Sequence, residues 1–202
     1  MGQGRREELL ERAYAYVCAH GLAELSLRPL AGAIGSSPRV LLFLFGSKDG
    51  LIRALLARAR ADELTLLATE LPDGLEHTAL LLWEWLAADE RRPLLRLWVE
   101  AYGRSLVAPD GPWAGFAART VTDWLAVLAA AQPAGVRETG EGAAQRTAVL
   151  AVLRGALLDL LATGDRERIT AATRRAVRAH AGRDPASGEP PRSDGGATTG
   201  RR

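Results

Sequence analysis

A short segment near the amino terminus carries the side chains best suited to contact a polyanion. Residues 25–48 contain three basic side chains, Arg28, Arg39 and Lys48, and no acidic one. Arginine pairs bidentately with the O6/N7 edge of guanine, and lysine neutralises a phosphate as a point charge. Residues 1–60 hold nine basic and five acidic residues, a net charge of +4, against +2 for the whole chain. This distribution indicates a polyanionic partner at one end of the molecule.

Groupings that would support catalysis or metal binding fail on spacing. Cys18 and His20 lie two positions apart on a predicted helix, where side chains do not face each other, and the other two histidines stand alone. The sequence Gly46-Ser47-Lys48 is similar to the end of a phosphate-binding loop, but Leu41 occupies the position of the required earlier glycine. We therefore predict no catalytic site, no metal site and no cofactor.

Composition places the chain among globular proteins of the cytoplasm. A hydrophobic fraction of 48% over 202 residues is ample for a packed core. No apolar run approaches the ~18 residues that a membrane-spanning helix needs, so no membrane partner is expected. A single cysteine excludes an internal disulfide framework and fits a reducing compartment.

Hydrophobic periodicity predicts an all-α fold of about nine helices. The predicted helices cover residues 5–20, 26–34, 36–44, 48–71, 75–89, 91–107, 113–131, 141–163 and 165–181. We expect a three-helix domain over residues 1–47 and a larger helical domain over residues 48–181. Residues 182–202 are rich in Gly, Pro, Ser, Thr and Arg, which predicts a disordered tail.

Residues 26–45 have the pattern of two short helices joined by a glycine-containing turn. Ser26 is a suitable N-cap for the first helix, and Gly35 can adopt the left-handed conformation that ends it. Ser36 or Ser37 then caps a second helix that begins near Pro38. Leu30, Ala31 and Ile34 are expected to meet Val40 and Leu41 between the two helices. This is the form of a helix-turn-helix, although an ordinary αα-hairpin has the same outline.

Three stretches of the chain resemble TetR/AcrR-family regulators. They are Gly21-Leu22-Ala23-Glu24-Leu25-Ser26-Leu27-Arg28-Pro29-Leu30-Ala31, Ile34-Gly35-Ser36-Ser37 and Phe45-Gly46-Ser47-Lys48-Asp49-Gly50-Leu51. The resemblance covers about residues 5–56. It implies a homodimeric repressor with a helix-turn-helix domain that binds a palindromic double-stranded DNA operator. It also implies a helical domain that binds a small apolar or aromatic effector, which releases the DNA.

The resemblance also implies roles for individual residues. The expected DNA-binding residues are Arg28, Ser36, Ser37, Pro38, Arg39, Leu42, Phe43 and Lys48. This chain departs from the family at Leu42 and Leu44, where the family usually has Tyr and His, so a phosphate-contacting hydroxyl is missing. Phe43 either replaces it by contact with a thymine methyl group or belongs to the core.

The second domain carries the implied effector and dimer sites. The expected effector-binding residues are Trp83, Arg96, Trp98, Tyr102 and Trp124, and Trp85 is an alternative to Trp83 because the two point to different helix faces. The expected dimer interface consists of Val149, Val152, Leu153, Ala156, Leu157, Leu160, Leu161, Ile169, Ala172 and Val177. The alternative for each aromatic residue of the expected effector site is that it is an ordinary core side chain. The alternative function is an all-α small-molecule carrier or interaction protein that does not bind DNA.

Overall fold

The computed structural model describes residues 2–22, 25–67 and 73–182, and all regular structure in these ranges is helical. The predicted all-α fold is therefore confirmed. The helices are α1 (Gly2–His20), α2 (Leu27–Ala33), α3 (Pro38–Phe45), α4 (Lys48–Leu67), α5 (Leu75–Leu86), α6 (Arg92–Val107), α7 (Phe116–Ala130), α8 (Ala134–Arg137), α9 (Gly140–Thr163) and α10 (Arg166–His180), with a single 3₁₀ turn at Asp89–Arg91. None of these helices is long and apolar enough to cross a lipid bilayer.

The helices follow the predicted order with small differences at their ends. The four-residue helix α8 lies in a segment where the sequence predicted only a break. Helix α7 begins at Phe116 rather than near residue 113. Gly115, just before it, has a left-handed backbone conformation with φ at +67°, which is incompatible with a right-handed helix. Residues 68–71, the predicted last turn of α4, lie outside the described residues. The predicted tail, residues 182–202, also lies outside them except for its first residue, Gly182.

Two hydrophobic clusters form the interior. The first joins α1–α4 to α6, where Leu97 and Ala101 pack against the amino-terminal helices. The second lies among α5, α6, α7, α9 and α10 and contains the fully buried side chain of Trp83. Trp98 of α6 packs against both clusters. Helix α6 thus connects the amino-terminal helices to the rest of the molecule.

The two short helices of residues 26–45 have the expected caps, with one correction. Ser26 is the N-cap residue of α2, but its side chain makes no capping hydrogen bond. Gly35 has the predicted left-handed conformation, with φ at +67°. At the next helix, Ser37 Oγ accepts a hydrogen bond from the Val40 backbone N–H at 3.3 Å, and Pro38 occupies the first turn. Ser37 rather than Ser36 is therefore the cap of α3.

A close backbone contact fixes the turn between α3 and α4. Ser47 Oγ accepts a hydrogen bond from the Gly50 N–H at 2.9 Å, which caps the start of α4. A Cβ atom at Gly50 would lie 2.0 Å from the Phe45 carbonyl oxygen. Only glycine fits this position without movement of the backbone, so the turn holds Lys48 at a defined place beside α3.

Candidate nucleic-acid interface and ligand cavity

Helix α3 is anchored by one apolar side and exposes the other. Leu41 and Phe45 are buried against α1, α2 and α4 together with Leu30 and Ala31 of α2. The predicted partner Val40 is instead 38% exposed, because adjacent residues of a helix are turned about 100° from each other and Leu41 occupies the buried side. The contact between the two helices therefore depends on Leu41, and Val40 faces outward with the candidate DNA-binding residues.

The exposed side of α2 and α3 and the start of α4 form one basic surface, which we call the α3 face. Arg28, Arg39 and Lys48 are all exposed. Among the described residues none of the three has an ion-pair or hydrogen-bond partner for its side chain. Most other arginines of α1 and α4 do have such partners, as Arg58 does with Glu11 at 2.6 Å. The unpaired charges of the α3 face are therefore available to an external anion.

The apolar residues of the α3 face are also exposed. The Phe43 side chain is 85% exposed and the Leu42 side chain 42%. The possibility that Phe43 belongs to the core is therefore excluded. Large exposed apolar side chains next to unpaired cations are suited to the major groove, where thymine methyl groups lie beside the phosphates.

The serines at the start of α3 differ in their surroundings. Ser37 is exposed and occupied as a cap. Ser36 is half-buried, and its Oγ has no hydrogen-bond partner among the described residues. The Ser36 Oγ atom itself is buried, so in this conformation it offers no exposed donor to a partner beside α3.

A cavity lies in the larger helical region, among α4, α5, α6, α7 and α9. Its walls are mostly apolar and include three tryptophans. The lining residues are Ala59, Glu63, Trp85, Leu86, Leu94, Leu95, Trp98, Trp124, Leu150, Leu153, Arg154 and Leu157. Apolar walls with a few polar groups are typical of small-molecule sites. The side chains leave only about 20 Å³ free, so a ligand must move them apart to enter.

A buried carboxyl group lies in one wall of the cavity. Glu63 of α4 is 5% exposed, and its Oε1 accepts a hydrogen bond from Trp124 Nε1. Its Oε2 has no partner among the described residues. Burial raises the pKa of Glu63, and the Trp124 hydrogen bond partly opposes this shift. The nearby Asp123 also raises this pKa, although Asp123 itself is paired with Arg60 at 2.7 Å.

A guanidinium group lies in another wall. Arg154 of α9 donates from Nη1 to the Tyr102 hydroxyl at 3.3 Å and stacks over the Tyr102 ring at 5.2 Å. Its Nε and Nη2 atoms are buried and have no partner among the described residues. Tyr102 in turn stacks on Trp98, with ring centroids 5.2 Å apart. Tyr102 thus holds the guanidinium group through Nη1, while Nε and Nη2 lack hydrogen-bond acceptors.

The structure brings together only part of the predicted effector site. Trp98 and Trp124 line the cavity, and Tyr102 borders it through Arg154. Trp83 does not line it, because its indole N–H donates to Thr170 Oγ1 at 3.1 Å between α5 and α10, and the alternative Trp85 takes its place. Arg96 lies on another side of α6, in a separate cleft beside the end of α1.

That cleft marks the junction between α6 and α1. The Leu22 backbone N–H, just after α1, donates to Glu100 Oε2 at 2.8 Å. Val17, His20 and Arg96 also line the cleft. Residues on one side of α6 therefore line the cavity, while Glu100 on another side holds the end of α1. A displacement of α6 at the cavity would move this contact.

The predicted dimer interface needs a correction. Six of its residues are at most 2% exposed within the single chain, namely Val149, Leu153, Leu157, Leu160, Ile169 and Val177. These side chains fill the core between α9, α10 and α5, so they present no surface to a second chain. The other four, Val152, Ala156, Leu161 and Ala172, remain half-buried or exposed.

The outer side of α9 carries a different stripe. Ala144, Ala151, Gly155 and Leu158 are all exposed and follow the three- and four-residue spacing of one helix face. Leu158 is 53% exposed, which is unusual for a large apolar side chain. We call this surface the α9 stripe.

The described residues contain no cluster of three or more metal-binding side chains. The Cys18 thiol is half-buried, and burial raises its pKa, which opposes thiolate formation. Cys18 is therefore not activated as a nucleophile.

Comparison with known proteins relates this architecture to solved regulators. A transcriptional regulator from Rhodococcus sp. Rha1 superposes with a TM-score of 0.72 at 19% identity, over 85% of this chain and 93% of that one. A TetR transcription regulator from Haloarcula marismortui gives a TM-score of 0.63 at 18% identity, over 88% and 96%. The chain has the TetR-family fold. No protein-family model matches the sequence, and no curated protein sequence does.

A third TetR-fold comparison concerns a ligand complex. The multidrug binding protein EbrR in complex with ethidium superposes with a TM-score of 0.64 at 27% identity, over 86% of this chain and 99% of that one. The TetR-fold resemblance inferred from residues 5–56 is thus confirmed over most of the chain.

Two polar residues that line the cavity, Glu63 and Arg154, were not predicted from the sequence. A signal for each existed. Glu63 continues the buried positions of α4 after Leu56 and Ala59, at three- and four-residue spacing. Arg154 is the one charged residue within the apolar stretch 148–158. A charged residue within an apolar stretch of a helix is expected to be buried, and a buried charge needs a polar partner.

Proposed function

We propose that this protein is a TetR-family transcriptional repressor that binds a palindromic DNA operator as a homodimer. The observation that carries the proposal is the α3 face. Its unpaired Arg28, Arg39 and Lys48 surround the exposed residues of a helix-turn-helix, in a segment with no acidic residue between positions 25 and 48. Such a surface attracts the phosphates of duplex DNA.

In this proposal α3 enters the major groove, and each residue has a distinct role. Arg39 contacts a base edge, and Phe43 contacts a thymine methyl group. Lys48, at the start of α4, contacts a phosphate together with the backbone N–H groups of the helix terminus. Arg28 reaches the backbone beside the groove. Base contacts determine the preferred sequence, whereas phosphate contacts position the protein.

The homodimer is proposed to form through the α9 stripe. Small residues at Ala144, Ala151 and Gly155 allow close approach of a second helix, and Leu158 supplies an apolar side chain for the contact. A two-fold dimer presents two α3 faces to inverted half-sites about one helical turn apart, roughly 34 Å.

The effector is proposed to bind in the cavity and to change the position of α6. Trp98 of α6 lines the cavity, and Glu100 of α6 holds the end of α1. A ligand shifts the equilibrium only if it favours the arrangement in which the two α3 faces are wrongly spaced. The EbrR–ethidium complex supports the use of such a cavity for small aromatic molecules.

Selection from a random duplex library tests DNA binding without knowledge of the operator. The pure protein is expected to enrich an inverted repeat, and its affinity for the enriched duplex is expected to fall steeply with salt. As a matched control we choose Arg175→Ala, since Arg175 is exposed and unpaired on α10, far from α3 in the chain. This variant should enrich the same repeat. Recovery of random sequences would contradict the proposal.

The alternative, a carrier that does not bind DNA, retains one supporting observation, which is the cavity with its mostly apolar walls. It predicts ligand binding with no duplex enrichment in the same experiment.

A further inference from the structure

The cavity is lined by two polar residues of opposite charge type, Glu63 and Arg154. They differ in whether they can become neutral by proton transfer. Glu63 can become neutral by taking up a proton, and burial already favours that form. Arg154 cannot lose its charge, since a guanidinium stays protonated in proteins. The described part of the chain offers no carboxylate partner to Arg154. Arg154 is therefore the lining residue that needs an external partner, because two of its nitrogens are buried without one and it cannot give up its charge.

The free atoms of Arg154 define the shape of the missing partner. Nη1 is engaged by the Tyr102 hydroxyl, whereas Nε and Nη2 are buried without partners. These two atoms form one edge of the planar guanidinium, from which two parallel N–H groups point in the same direction. A carboxylate accepts both hydrogen bonds at once, in the bidentate geometry that arginine favours.

The rest of the cavity sets the charge and body of the ligand. Ten of its twelve lining residues are Leu, Trp or Ala, and the other two are Glu63 and Arg154. A phosphate monoester carries about −1.5 to −2 at neutral pH and would leave excess buried charge. A carboxylate carries one negative charge and is neutralised by Arg154 alone.

We propose that the effector is a monocarboxylic acid with an apolar or aromatic body, whose carboxylate binds the Nε and Nη2 edge of Arg154. The apolar body lies among Trp85, Trp98 and Trp124. This inference rests on the proposed function in one respect, which is that the ligand regulates DNA binding and is therefore called an effector. The binding of the acid to Arg154 does not depend on it. Binding of the acid links Arg154, Tyr102 and Trp98, so the ligand acts directly on α6.

Three probes with one apolar body and different charges test the ligand class. They are phenylbutyrate, its neutral amide phenylbutyramide and its cationic counterpart phenylbutylamine. Binding is measured without DNA, by tryptophan fluorescence excited where the phenyl group does not absorb and by calorimetry. We expect the acid to bind roughly 10-fold or more tightly than the amide, and the amine to bind most weakly, because one charged hydrogen-bonded pair distinguishes them.

Substitutions then assign the selectivity to the cavity. Arg154→Met keeps a flexible apolar side chain and should weaken binding of the acid by roughly 10- to 100-fold while leaving the amide nearly unchanged. Arg154→Lys keeps the charge without the two-pronged edge and should give an intermediate loss. The control Arg175→Met on α10 should behave as wild type.

Each other result overturns the assignment. Tightest binding of the amine, and loss of that binding in Glu63→Gln, would mean that the cavity takes cations, as the EbrR complex with ethidium does. Equal binding of the three probes, or no saturable binding of the acid at about 5 mM, would mean that Arg154 recognises no carboxylate. The measurements on the wild-type protein stand even if an Arg154 variant fails to fold. Since no DNA is present, failure of operator binding leaves these outcomes unaffected.

Discussion

Arg39 and Arg154 both lack an ion-pair partner among the described residues, yet they lie in opposite environments. Arg39 is exposed on α3, where water solvates its guanidinium and leaves it available to DNA. Arg154 lies against the cavity, and two of its nitrogens are buried without a partner. An unpaired charge in water costs little, whereas a buried one is expensive until a ligand pairs with it. In the proposed function, the α3 face is therefore ready for its partner in the free protein, whereas the cavity is completed by its ligand.

The largest expected effect separates buried from exposed positions on α9. Leu157→Glu introduces a charge at a residue that is 2% exposed and should destabilise the fold by more than about 3 kcal/mol. Leu158→Glu, one position later and 53% exposed, should leave a folded protein that no longer dimerises. Light scattering and thermal unfolding measure the two properties. A wild-type mass of 21.6 kDa, that of one chain, would contradict dimerisation.

The next effect concerns sequence recognition by the α3 face. Arg39→Ala should cost about 1–3 kcal/mol of operator affinity and relax the preference at one base pair, because a bidentate base contact is lost. Competition between duplexes that differ at single positions measures both quantities. The contact would be assigned to the phosphate backbone instead if the variant lost affinity equally for every duplex.

A smaller effect is expected from the buried carboxyl group of the cavity. Because burial raises the pKa of Glu63, folding favours its protonated form, so its contribution to stability is greatest at low pH and is lost as pH rises through the folded-state pKa. Glu63→Gln keeps an oxygen acceptor for Trp124 and removes this titration. The variant should therefore gain stability relative to wild type as pH rises above 4.5, the ordinary pKa of glutamate, in denaturant titrations. A difference that stays constant with pH would show that folding does not change the pKa of Glu63.

The smallest effect tests the departure from the family pattern. Leu42→Tyr places a hydroxyl on the α3 face at a position that is 42% exposed. If this hydroxyl reaches a phosphate, affinity should rise by about 0.5–1.5 kcal/mol, and the preferred sequence should not change. Binding curves for wild type and variant on the selected duplex provide the measurement. A changed sequence preference would place residue 42 against bases.

The α3 face was largely predictable because its signals are local. Gly35, Ser37 and Pro38 fix the two short helices through caps and backbone conformation, which depend on a few neighbouring residues. Exposure of Phe43 was not predictable, because the same side chain suits both core and groove.

The cavity was less predictable because it depends on which distant helices meet. Trp83 and Trp85 are equivalent in sequence, and only the position of Thr170 on α10 turns Trp83 away from the cavity. Six of the ten predicted dimer residues are buried within the single chain for a similar reason. A wide apolar stripe on α9 is needed to bury α10 and α5 within one chain, so its width does not report a second chain.

The account is tested most directly by comparing wild type with Lys48→Ala on the selected duplex over a range of salt concentrations. A phosphate contact without sequence information should be lost, so the variant should weaken binding to all duplexes alike. The slope of log affinity against log salt should fall by about one. Fluorescence anisotropy with a labelled duplex gives both values. If wild type shows no salt-dependent binding, or if Lys48→Ala and Arg39→Ala both leave operator affinity unchanged, the α3 face does not bind DNA and the carrier function is the better explanation.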